Sequence, residues 1–100
     1  MLMDTTHFNQ QQEPEMFHLI AYDLESRNYE DVEAIIENLG EAHRLQLSVW
    51  LLETNLSSSA IRDAIAPVLS EDDSLFVCPA KGWASQGVPN DIIEWLKGSS

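Results

Sequence analysis

Asp23 closes a short, mostly apolar run, Phe17-His18-Leu19-Ile20-Ala21-Tyr22-Asp23, and a polar loop follows it, Glu25-Ser26-Arg27-Asn28. A carboxylate in that place is a candidate catalytic and metal-holding group. Mg²⁺ and Mn²⁺ prefer oxygen ligands. Such an ion polarises a phosphate and activates water. Two Asp23 carboxylates facing each other across a twofold would hold one ion. Tyr22, Ser26 and Arg27 are neighbours in sequence and the candidate substrate-binding residues, with Arg27 as a phosphate contact. The plainer alternative is a strand-end carboxylate that bonds to loop amides.

Other chemistry has little to stand on. Cys78 is the only cysteine, so no internal disulfide and no cysteine-based zinc site can be built within one chain. It reads as a buried strand thiol. His7, His18 and His43 are spread out, and His18, among apolar neighbours, reads as a half-buried core histidine. No phosphate loop or dinucleotide fingerprint is present. Trp50, Trp83 and Trp95 read as core and interface anchors, because no basic track accompanies them as in a single-strand binder.

Charge narrows the partners. The formal net charge is −12, with five cations, Arg27, Arg44, Arg62, Lys81 and Lys97, that form no run. A broad basic surface for phosphate backbones is therefore not expected, and nucleic acid is disfavoured as a partner. The acids gather at Glu30, Asp31, Glu33 and Glu37, and at Glu71-Asp72-Asp73. They read as a solvated helix face and a turn; neither has the spacing of a calcium loop.

The elements that must position Asp23 follow from periodicity. One hundred residues, 44% hydrophobic, make one small domain. Residues 1–15 are polar and without period, and are expected to be a disordered tail; 16–97 form the domain. No basic start followed by an apolar stretch is present, so no secretory signal is expected. No run approaches the roughly 20 apolar residues of a membrane span. A cytoplasmic protein is the expectation.

Residues 16–23 read as the first strand, with Phe17, Leu19, Ala21 and Asp23 on one face and His18, Ile20 and Tyr22 on the other. Tyr29, Val32, Ile35, Ile36 and Leu39 recur at helical spacing, with Asn28 as expected N-cap and Gly40 as the stop at C′. Residues 43–55 read as two strands joined by a tight bend near Ser48. Ile61, Ala64, Ile65, Val68 and Leu69 mark a second helix, its N-cap supplied by the turn Asn55-Leu56-Ser57-Ser58-Ser59, and it is kinked or ended early near Pro67. Leu75-Phe76-Val77-Cys78 is a short strand closed by Pro79. Ala80 to Val88 is a loop, and Pro89-Asn90-Asp91 opens a short C-terminal helix.

That order predicts an α+β fold, a ferredoxin-like βαββαβ sandwich with a short C-terminal helix. Its helices cover one sheet face. The strands carry apolar residues on both sides, so the open face is expected to meet a second copy, giving a dimer across the sheets.

Phe17 to Leu24, with its "IAYDL" opening, Ser48-Val49-Trp50-Leu51, Ala60-Ile61-Arg62-Asp63, Asp73 to Val77 and Trp83-Ala84-Ser85-Gln86-Gly87 together resemble the small CRISPR-associated adaptation protein of the Cas-two type. The set is most similar to its orphan, SinR-like relatives, whose function is unknown. The resemblance spans roughly residues 16–97. It implies a ferredoxin-like protomer, a homodimer across the sheets, and at Asp23 the strand-end aspartate proposed to hold a metal for phosphodiester hydrolysis. A toxin branch, the virulence-associated protein D type, shares the fold and cleaves RNA. This chain departs from the adaptation proteins in its acidity and in the single arginine of the loop after Asp23.

Three functions follow. The first is a homodimeric interaction or regulatory protein without strong catalysis. The second is a metal-dependent endonuclease, RNase or DNase, using Asp23 from both protomers and Mg²⁺ or Mn²⁺. The third is an acidic, antitoxin-like inhibitor that imitates nucleic acid on a basic protein partner.

Overall fold

The structure, a computed structural model, describes residues 16–98. The expected tail, 1–15, lies outside the described residues. The strands are β1 (Met16–Asp23), β2 (Glu41–Gln46), β3 (Val49–Thr54) and β4 (Ser74–Pro79), and the helices are α1 (Tyr29–Leu39), α2 (Ser58–Ile65) and α3 (Asn90–Gly98). All strand pairings are antiparallel, in the order β2-β3-β1-β4. The result is a small α+β fold with one four-stranded sheet, compatible with the ferredoxin-like arrangement. Among the described residues no helix is long and apolar enough to cross a membrane.

The alternation of β1 divides the molecule. His18, Ile20 and Tyr22 are buried on the inner face. There Ile20, Tyr22, Trp50 and Leu52 pack against Val32 and Ile36 of α1 and Ile61 and Ile65 of α2. Each fully buried aliphatic side chain of this kind stabilises the fold by about 1.5–3 kcal/mol.

Local signals explain the helix ends, with two corrections. Ser57 caps α2 as expected, its Oγ accepting from the Ala60 amide at 3.1 Å. Pro67 ends α2 at Ile65, and a 3-10 turn, Ala66–Val68, follows. Asn28, expected as the cap of α1, makes no side-chain cap bond; its Nδ2 donates to the Val68 carbonyl at 2.9 Å and ties α1's start to the 3-10 turn. Gly40 directly follows the last helical residue, Leu39, as the stop requires, but its backbone is extended, at φ 164° and ψ −165°, rather than left-handed. Its glycine is required by contact, since a Cβ there would run into the Glu53 carbonyl oxygen.

The bend expected near Ser48 is the Leu47-Ser48 turn, and β2 carries a register shift between Arg44 and Gln46. Tyr22 N donates to the Ser48 carbonyl at 3.1 Å, so this turn is held against the end of β1.

The outer face corrects a larger expectation. The apolar pattern assigns all of it to a partner chain, but α3 folds back over one half of it. Trp95 meets Phe17 edge-on at 4.9 Å and lies 4.3 Å from the His43 ring. Its Nε1 donates to Glu53 Oε1 at 3.2 Å. Glu41 and Glu53 are cross-strand partners, a like-charge pair that disfavours the sheet. His43, 3.1 Å from Glu41, and the Trp95 indole offset it.

Candidate functional site

Asp23 stands at the rim of the outer face that α3 leaves bare. Register places Gln46, Val49, Ala21 and Phe76 in one cross-sheet row, with Asp23 and Ser74 in the row beyond. Ala21, Asp23, Ser74 and Phe76 line one shallow depression. Phe76 is 64% exposed and Leu47, on the β2–β3 turn, 84%. These large side chains sit on strands and a turn held by backbone pairing, so the patch is rigid rather than frayed.

Asp23 itself is exposed. It is not the carboxylate that bonds to the loop amides. That role belongs to Asp73, which sequence had assigned to a solvated turn. Asp73 Oδ1 accepts from Ser26 N at 2.9 Å; Oδ2 accepts from Ser26 Oγ at 2.7 Å and Ser70 N at 2.9 Å. The amide bonds from Ser26 and then Ser70 hold its carboxyl well below the usual carboxylate range. The clasp joins the loop after β1 to the turn before β4. Asp73 was unreadable because Glu71, Asp72 and Asp73 look alike in sequence, and its partner lies 47 residues away.

The candidate substrate residues do not gather around Asp23. Tyr22 points to the inner face, where it is buried. Its hydroxyl donates to Glu33 Oε2 at 2.9 Å and accepts from Trp50 Nε1 at 2.9 Å. Arg44 lies 2.8 Å from the same Glu33 oxygen, its guanidinium 5.3 Å from the Trp50 ring centre. Burial, then the Glu33 bond, push the Tyr22 hydroxyl up to about 12. This chain of four residues staples α1 to β1, β2 and β3. No sequence signal linked Glu33 to Arg44, because both read as surface charges. Ser26 is committed to the Asp73 clasp. Arg27 is exposed and sits at φ 62°, in the left-handed region. Cys78, expected buried, is only half-buried.

Among the described residues no group of three or more His, Cys, Asp or Glu side chains is arranged to hold a metal ion. On the covered half, Leu19, Leu45, Leu51, Trp83, Ile93 and Leu96 line a mainly apolar cleft of about 300 Å³ beneath the loop before α3. Gly82 and Gly87, at φ 67° and 82°, bend that loop. No family model, no curated protein and no solved structure matches the chain.

Proposed function

We propose that this chain is a homodimeric interaction or regulatory protein, ferredoxin-like and Cas-two-like in fold, that joins its sheets through the bare half of the outer face and has no strong catalytic activity. The observation that carries this reading is the row of Val49, Ala21 and Phe76 across the bare sheet face, with Leu47 on the turn that follows its far end at Gln46. It is apolar, held on regular backbone, and crowned by two side chains 64% and 84% exposed. Exposed apolar patches on a rigid surface mark association sites. A twofold through it would bury each Phe76 and Leu47 in a self-complementary contact. The net charge of −12 opposes close approach of two copies at low salt, so association should tighten as salt screens it.

The test is sedimentation equilibrium or light scattering of the full chain at micromolar concentration. A dimer that Phe76→Asp and Leu47→Asp each convert to a monomer supports the reading. A wild-type monomer at that concentration sinks it.

One observation favours a second reading. Asp23 lies at the rim of the same patch, so the twofold that buries Phe76 would draw two Asp23 carboxylates together. That arrangement would serve a metal-dependent nuclease. Cleavage of RNA or DNA in Mn²⁺ that disappears in Asp23→Asn protein supports it; cleavage that survives the substitution removes the site. The acidic-mimic reading gains no comparable support, because the described acids spread over both helical and loop surfaces.

A further inference from the structure

The sheet has two edges, and their chemistry is opposite. β2 is Glu41-Ala-His-Arg-Leu-Gln46, with charged or ionisable groups at three of its positions and a register shift near its end. Charge and irregularity are how natural sheets blunt an edge against further pairing. β4 is Ser74-Leu-Phe-Val-Cys-Pro79, with no charge at all. It pairs regularly with β1 from Ser74 to Pro79. Among the described residues no segment pairs with its outer edge.

A groove runs beside that edge. Ser58, Ser59 and Arg62 of α2 form one wall, and Leu75, Phe76 and Val77 of β4 form the other, around about 290 Å³. We propose that the open edge of β4 accepts an extended segment of a partner protein as a fifth strand. Its alternate apolar side chains enter the groove against Leu75 and Val77, and one acidic side chain meets Arg62.

Each part of that occupant follows from the walls. A row of unpaired backbone N–H and C=O groups is satisfied by another extended backbone, which supplies both donors and acceptors. Strand pitch sends every second side chain of the incoming segment toward α2. Arg62 donates through Nε at 3.0 Å and Nη2 at 2.9 Å to Oδ1 of Asp63, its neighbour in sequence, with both side chains more than half exposed. An exposed pair of that kind contributes little, and a guanidinium has five donors, so Arg62 can take a second carboxylate. A second copy's β4 would bring no acid to it, because Ser74 to Pro79 contains none. Phe76 belongs to both surfaces, so the Leu47→Asp chain separates the edge site from the dimer.

The experiment is an NMR titration of the full chain with a blocked peptide of about eight residues, matched to the six of β4, in which valine and threonine alternate around one glutamate. A second peptide has the same sequence with alternate amides N-methylated. The expected result is saturable movement of the Leu75, Phe76, Val77, Ser58 and Ser59 amides, with the β2 amides still. N-methylation should weaken binding about tenfold or more, as lost backbone pairing requires. Arg62→Ala, an exposed change that leaves the fold intact, should weaken it about threefold. Absence of saturable movement, equal movement on β2, or equal binding of the methylated peptide would each overturn the proposal. The titration is repeated with the Leu47→Asp chain. The same response there supports an edge site that does not need the dimer; its loss overturns it.

Discussion

The two halves of the outer sheet face are built from similar residues and meet different surroundings. One half carries Phe17, Leu19 and Leu51 and lies under α3. The other carries Ala21, Val49 and Phe76 and lies open. Among the described residues the difference lies in where the chain after β4 turns. The Ala80–Val88 loop brings α3 back only as far as the rows of Phe17 and Leu19. Covering by the chain's own helix serves stability. The open half, with the same strand chemistry, is available for association.

Substitution at Trp95 should expose that contrast most strongly. Trp95→Ala removes the Phe17 and His43 ring contacts and the bond to Glu53. It should lower stability by about 2–3 kcal/mol in urea unfolding, near the low end for a large aromatic truncation because the ring is half-buried. A loss below about 0.5 kcal/mol would mean that α3 rests on the sheet without holding it.

On the open half the order reverses. Leu47→Asp should change protomer stability by no more than about 0.5 kcal/mol while removing the dimer. Unfolding measured alongside sedimentation separates the two effects. A large stability loss would show that Leu47 belongs to the core of one chain.

Tyr22, on the inner face, offers a control that touches neither half. Tyr22→Phe should cost about 1 kcal/mol, the worth of its hydroxyl's bonds to Glu33 and Trp50. Its folded pKa is raised to about 12, above the unfolded value of about 10. Its contribution is therefore complete below pH about 10 and is lost as pH rises toward about 12. In a Tyr29→Phe chain, where Tyr22 is the one remaining tyrosine, absorbance titration of the phenolate should follow that window, and a midpoint near 10 would contradict the buried network.

The clasp beside the open half gives the smallest effect. The Asp73 carboxyl is held down, so its stabilisation is present above the unfolded pKa of about 3.9 and is lost as pH falls below it. Protection of the Ser26 and Ser70 amides, measured as exchange relative to the intrinsic rate at each pH, should fall on acidification in the native chain. In Asp73→Asn it should be low throughout. Unchanged protection in the variant would show that the loops are held by something else.

Much of the fold was legible because local chemistry decides it. Alternation in β1, the helical stripe of α1, Ser57 as a cap and Pro67 as a break each act within a few residues. The site was less legible, since it depends on which distant residues meet. Asp73, read as part of a solvated turn, makes the loop bonds that were the plainer alternative for Asp23. Both are aspartates at the boundary of a strand, and only the approach of Ser26 and Ser70 distinguishes them. Tyr22 follows Ala21 in sequence, but the pleat sends its hydroxyl to the far side of the sheet from Asp23. The half-cover by α3 was hidden because a short amphipathic helix does not announce which face it will lie upon.

Position 40 carries a consequence for how this sequence can vary. The outward positions of α1 tolerate many side chains, as do the turns. At Gly40 even a Cβ would meet the Glu53 carbonyl oxygen, so the permitted alphabet shrinks to one letter. Any replacement must push β2 away from β3 at the place where two glutamates already face each other. Among diverged copies of this chain, that glycine should outlast the carboxylates around it.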